Sequence, residues 1–192
     1  MASSEIHSIQ TVSGNQPRTR RMIEEAAQTF LPGTPVSIAS GDGGLQAWNG
    51  STITAGVAGF SKEGANNLAA LGVIPTAAVN PNPQPASGAV PNEPSAQNIT
   101  RPFFRDGRIG FEVAVADTVF LGQVGPAQTA LATDVGVQYG MTKDADNHWY
   151  VDKTKTGGSA ILEIVKLDPN DQSATPRGVY FVVLPTSAQI VA

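Results

Sequence analysis

The amino-acid sequence predicts a mainly β fold, a small β-barrel or β-tulip or a two-sheet sandwich, on three observations. Twenty glycines and fourteen prolines are spread through 192 residues, and both are poor choices for the interior of a helix. From Thr34 onward, short apolar runs recur between clusters of turn-forming residues, the pattern of a chain that folds into many short strands. One good helical repeat is present, over Thr19–Phe30.

Residues 1–18 are polar, with isolated apolar side chains at Ile6, Ile9 and Val12. So little apolar surface cannot offset the entropy of ordering the chain. The segment is expected to be an extended arm that takes its shape on a partner. In "TRRMIEEAAQTF" (Thr19–Phe30), Met22, Ala26 and Phe30 recur at i, i+4 and i+8, with Ile23 and Ala27 alongside. This predicts a short amphipathic helix. Arg20–Glu24 and Arg21–Glu25 have helical pair spacing, and Pro32-Gly33 would end the element. About three turns are marginal for an isolated helix, so it too needs a surface to lie on. The expected organisation is therefore an N-terminal arm and short helix over 1–30 and a β domain over 31–192.

"PVSIAS" reads as a strand and "ASGDGG" (Ala39–Gly44) as a hairpin turn. Asn49-Gly50 reads as a second turn between extended stretches, since both residues tolerate positive φ. "AGVAGFS" is small and apolar, a strand where backbones approach closely. "KEGANNLAALGVIP" stays open between a helical turn and a wide loop. Ile74–Pro102 then holds seven of the fourteen prolines and only two charges, Glu93 and Arg101. That spacing resists both helix and central strand. It is read as an insertion at about 75–102 within one β domain, since strands on both sides are needed to complete the sheet. The insertion is either solvated or laid as a strap across a neighbouring subunit, because proline's restricted backbone loses less entropy on docking.

In "RIGFEVAVADTVFLGQV", Phe111, Val113 and Val115 fall on one face. "TDVGVQYGMT" and "HWYVDK" flank the loop Asp144–Asn147 as a hairpin. "SAILEIVKLD" places Ile161, Glu163 and Val165 on one side and Leu162, Ile164 and Lys166 on the other, if alternation is strict. "PNDQSATPRG" is a turn-rich loop, and "VYFVVLP" reads as an apolar central strand.

Composition narrows the function. The chain is 41% hydrophobic, enough for a core, and its net charge of −4 gives no broad field for nucleic acid or an anionic membrane. Without cysteine, disulfides and thiolate chemistry are excluded. No apolar run approaches the roughly 20 residues of a membrane helix, and the first residues lack a signal peptide's apolar core.

No motif assembles a reaction centre. His7 and His148 lack a second histidine at metal spacing. Asp144, Asp146 and His148 superficially follow a calcium loop, but Trp149 stands at the position of its glycine and Lys155 at that of its glutamate. The glycines of Ala39–Gly44 lack the lysine of a phosphate loop. Asp168 and Asp171 could act as paired carboxylates only across a cleft, and Asp-Pro-Asn-Asp is also ordinary turn chemistry. Arg18, Arg20 and Arg21 form one basic cluster and Arg101, Arg105 and Arg108 another. Each is either ordinary solvated charge or a contact for the carboxylates of an acidic protein surface.

The runs "GTPV…AWNG…AGVAGFS" and "YGMTKD…HWYVDK…LDP…GVYFVVLP", behind a polar N-terminal arm, resemble the head decoration, or cement, proteins of tailed bacteriophages. The resemblance covers about half the chain and leaves out the proline-rich insertion. It implies a non-enzymatic structural protein on the outer surface of the virion, made in the host cytoplasm. Such a protein would bind the major capsid protein and clamp neighbouring subunits of the expanded head, often as a homotrimer and less often as a dimer. It would take no cofactor, metal, nucleic acid or membrane. On this reading the capsid contacts are Ile6, Ile9, Val12, Arg18, Arg20, Arg21 and Met22. Arg101, Phe103, Phe104 and Arg105 would touch a neighbouring subunit. The competing expectations are a host- or glycan-binding module, with Trp48, Trp149 and Tyr150 either packed in the core or across strands or forming a stacking platform, and a hydrolase using Asp144, Asp146, Asp168 or Asp171.

Overall fold

The structure is a computed structural model and describes residues 6–12, 14, 16–25, 28–40, 43–50, 56–65, 108–115 and 117–189. The proline-rich insertion at about 75–102 and the residues Arg101, Phe103, Phe104 and Arg105 lie outside the described residues.

The fold is mainly β, with two antiparallel sheets in a sandwich-like arrangement. The larger sheet has the order β1 (His7–Thr11), β7 (Thr118–Gln123), β11 (Gly178–Val183), β10 (Leu162–Leu167), β8 (Gln138–Lys143), β9 (Trp149–Asp152). The smaller runs β2 (Thr19–Ile23), β6 (Arg108–Val113), β5 (Gly59–Ser61), β3 (Pro35–Ile38), β4 (Leu45–Ala47). Each sheet curls. In the larger, Val151 of β9 bridges Val124 just past β7, and the Gly125 N–H donates to the Val151 carbonyl at 3.0 Å. In the smaller, Glu24 just past β2 bridges Leu45 of β4, and the Glu25 N–H donates to the Leu45 carbonyl at 2.8 Å.

Each sheet has its own core. Met141, Val151, Leu162, Ile164, Val179 and Phe181 fill the larger, and Phe30, Val36, Leu45, Ile109, Phe111, Val113 and Val115 the smaller. Phe60 joins the two: it comes from β5 of the smaller sheet, yet its ring packs 4.5 Å from Phe120 and 5.8 Å from Phe181, centroid to centroid. Gly59 beside it lets the strands close up, since a Cβ there would stand 2.0 Å from the Glu112 carbonyl oxygen.

The alternation of Phe111, Val113 and Val115 is as expected, and so are the Ala39–Gly44 turn, the β8–β9 hairpin and the central place of β11. Four expectations differ. Thr19–Ile23 is a strand, not a helix. It pairs with β6, which puts Arg20 opposite Phe111 and Met22 opposite Ile109. A marginal three-turn helix loses to a strand that completes a sheet edge. Residues 6–12 are part of the body rather than a free arm. β1 pairs with β7, and Ile6 is only 2% exposed in the larger core. β4 and β5, on either side of Asn49-Gly50, are not partners, because both pair with β3. Finally, a bulge at Val165 breaks the alternation of β10. Lys166 therefore shares the side of Glu163, and Leu167 packs inward.

Candidate functional site

The two sheets bring their first strands to one rim. β1 and β2 are edge strands, and buried Glu112 of β6 ties them together. Its backbone pairs with Thr19 of β2, while its carboxylate accepts the Ser8 N–H of β1. The Lys62 ammonium lies 3.6 Å from the other carboxylate oxygen. Four of the residues expected to touch a partner are exposed on or beside this rim: Ile9 (41%), Val12 (70%), Arg18 and Arg20. Ile9 sits at a bulge in the β1–β7 pairing. Bulges and arginines are usual means of keeping an edge from indiscriminate pairing.

The remaining three are held by the protein itself. Ile6 lies in the larger core, and Met22 packs against the smaller. Arg21 donates to Glu63 Oε1 at 2.9 Å and to the Arg108 carbonyl at 2.8 Å, which fastens β2 to β6.

The acidic hairpin turn is a second cluster. One ligand atom from each of Asp144, Asp146 and His148 can be chosen so that all lie within 4.8 Å of one another. Asp144 is already engaged. Its Oδ1 accepts the N–H groups of Asp146 and His148, both at 2.9 Å, and its Oδ2 accepts the Tyr150 hydroxyl at 3.0 Å. Desolvation works against this carboxylate, but those donors outweigh it and hold its pKa below the ordinary range. With Asn147 in the left-handed region at φ 65°, these bonds make a closed hairpin turn, which explains the cluster without an ion.

Asp168 and Asp171 are likewise turned onto their own loop. Asp168 accepts the Asn170 N–H at 3.0 Å. Asp171 accepts the N–H groups of Arg177 and Gly178 at 2.7 and 2.8 Å, and these donors hold its pKa at about 2. The aromatic residues are buried rather than arrayed as a platform: Trp48, Trp149 and Tyr150 are 4%, 6% and 7% exposed. The two tryptophan rings pack at 5.4 Å, and the Arg177 guanidinium lies over Tyr150.

The sequence reading missed a buried polar knot. Asp134 accepts from Lys153 Nζ at 2.7 Å, the Tyr139 hydroxyl at 2.9 Å and the Leu131 N–H at 2.8 Å. Burial and the neighbouring carboxylate push Tyr139 up to about 12. Lys153 also donates to the Thr129 carbonyl at 2.9 Å. Nothing in the spacing of these residues announces the contact. Comparison with protein families, curated proteins and solved structures returns no match.

Proposed function

We propose that this chain is a structural virion protein that binds the outer surface of a phage capsid and reinforces the expanded head by clamping neighbouring major capsid protein subunits. The observation that carries the reading is the β1–β2 rim, where exposed Ile9, Val12, Arg18 and Arg20 are held by two rolled sheets joined at Glu112. The sequence resemblance supplies the capsid context. The contact is a rim held by strand pairing rather than a tail that folds on its partner, so less ordering entropy opposes docking. The arginines suit carboxylates on the shell, and the two apolar side chains supply burial.

The mechanism is mass action. A ligand that binds only the expanded shell stabilises that shell against rupture and reversal. Many copies on one particle let modest affinity per site suffice.

Cosedimentation of the full chain with expanded, undecorated heads tests this. The wild type is expected to saturate expanded heads and to bind unexpanded ones poorly. Ile9→Asp with Val12→Asp, and separately Arg18→Glu with Arg20→Glu, should abolish or sharply weaken binding without changing the melting temperature. The reading fails if the wild type stays in the supernatant, or if both variants saturate the heads as it does.

A further inference from the structure

Asn49-Gly50 closes no hairpin between its flanking strands. β4 before it and β5 after it both pair with β3. Its placement is particular all the same. Gly50 has a φ of 75°, in the left-handed region that glycine adopts without strain. Asn49 is exposed, and among the described residues the Gly50 N–H makes no hydrogen bond. A Cβ at position 50 would stand 3.2 Å from Trp149 Cη2, so the glycine lies against that ring. Trp48, on the other side of Asn49, is 4% exposed and packs on Trp149 at 5.4 Å.

This combination is reactive. An asparagine side chain carries an amide carbon that the next backbone nitrogen can reach. A side chain on the following residue hinders that approach, and a hydrogen bond on its N–H holds the proton. Gly50 has neither. Every other asparagine in the chain is followed by a residue that carries a side chain.

We propose that Asn49 is a site of spontaneous deamidation, with water as the co-reactant. The Gly50 nitrogen gives up its proton and attacks Asn49 Cγ. A Gly50 N–Cγ bond forms and the Cγ–Nδ2 bond breaks. The side-chain nitrogen leaves as ammonia and carries the proton away. The product is a cyclic imide, and water opens it at either carbonyl. Opening at Cγ leaves isoaspartate unformed and gives aspartate at the side chain. Opening at the backbone carbonyl gives isoaspartate, in which the main chain runs through the former side chain. No oxidant or reductant is needed.

The position gives the conversion a structural consequence. Aspartate sets a carboxylate beside the Trp48–Trp149 contact. Isoaspartate adds a methylene to the main chain between Trp48 and Gly50, which moves the glycine off the Trp149 ring. Trp48 follows β4 of the smaller sheet, and Trp149 begins β9 of the larger. Their contact is one of the places where the two sheets meet, and aromatic pairs of this kind depend on ring geometry. Deamidation therefore loosens a junction inside the body. The inference does not depend on capsid binding.

Ageing the full chain in mildly alkaline buffer tests it, since base removes the amide proton. Peptide mass spectrometry should find a gain of about 1 Da, the difference between an amide and a carboxyl, in the peptide that carries Asn49. Anion exchange should resolve the same fraction as a more acidic species. Tryptophan emission comes from Trp48 and Trp149 alone, so it should shift to the red as that fraction grows. The melting temperature of the separated acidic species should fall. Asn49→Gln lengthens the side chain by one methylene and disfavours ring closure, so the variant should keep its mass and its emission. An Asn49 that stays intact in the folded chain overturns the proposal. So does an acidic species that builds up equally in Asn49→Gln. Conversion at Asn49 that leaves emission and melting temperature unchanged would overturn its link to the junction of the sheets.

Discussion

In the larger sheet the loops are tied by aspartates a few residues away; in the smaller sheet the ties come from far along the chain. Asp144, Asp152, Asp168 and Asp171 each accept nearby N–H groups and close the loops around β8 to β11. Asp134 and Lys153 bind the approach to β8 onto the turn after β9. The smaller sheet is assembled from scattered segments, and the C-terminal stretch helps to complete it. The Val57 N–H donates to the Ser187 carbonyl at 2.7 Å, and Gln189 holds Ile38. Apart from β1 and β7, the larger sheet can close through local contacts. The smaller must wait for distant ones, whose loop-closure entropy is paid first. The smaller sheet is therefore expected to be the less stable part, and substitutions at the ties between the sheets should separate the two.

The largest expected effect is at Phe60, where the smaller sheet enters the larger core. Phe60→Ala removes a fully buried ring from contact with Phe120 and Phe181. It should cost about 3–5 kcal/mol. Denaturant unfolding reads the loss, and amide exchange should show β3 to β5 opening before β7 and β11. Uniform loss of protection in both sheets would show that they unfold as one unit and remove the distinction.

Next comes the buried knot. Lys153→Met leaves Asp134 ionised in a buried site with Tyr139 and Leu131 as its remaining donors. Removing one member of such a pair costs about 3 kcal/mol, or roughly 10 °C in melting temperature for a chain of this size. Burial raises the Asp134 pKa, but the hydrogen bonds from Lys153, Leu131 and Tyr139 outweigh it and hold the pKa below the ordinary value. Its stabilisation is therefore present above the unfolded pKa and lost as pH falls through the folded one. The gap between wild type and variant should narrow in acid. A gap independent of pH would mean that Lys153 acts by packing alone.

A smaller effect belongs to the β10–β11 loop. Asp171 is held at about 2 by the Arg177 and Gly178 N–H groups. Its contribution is complete above the unfolded value near 4 and disappears as pH falls to about 2. Asp171→Asn should lower the melting temperature slightly at neutral pH and converge with the wild type near pH 2. Curves that stay parallel across that window would remove this loop from the acid response.

These differences in range also decide what the sequence could disclose. The β8–β9 hairpin, the Ala39–Gly44 turn and the apolar β11 were legible because their signals are local: turn residues at fixed offsets and alternating apolar side chains. The strand at Thr19–Ile23 was not. Its identity depends on β6, more than eighty residues away, and Met22, Ala26 and Phe30 happen to keep a helical repeat. The burial of Ile6 was hidden for the same reason, since one isoleucine in a polar segment does not reveal the Gly122 that leaves it space. Of the rim, Ile9, Val12, Arg18 and Arg20 were legible as candidates, but their junction at Glu112 was not. The bulge that turns Lys166 outward has no signature in the run of residues around it.

The smallest expected effect is the most selective. Gln189 Oε1 accepts the Ile38 N–H at 2.6 Å, and its Nε2 donates to the Ile38 carbonyl at 2.7 Å. One side chain thus completes both backbone groups of the last residue in β3. Because the site is exposed, water can replace either bond, so Gln189→Ala should cost only about 1 kcal/mol. That loss should fall unevenly. Amide exchange at Ile38 should accelerate, along with the Val57 amide on the Ser187 carbonyl, while β7, β10 and β11 keep their protection. A Gln189→Glu variant retains the acceptor and loses the donor, so it should fall between wild type and alanine. Equal acceleration in the two sheets would mean that the C-terminal stretch stabilises the whole body rather than completing the sheet that cannot complete itself.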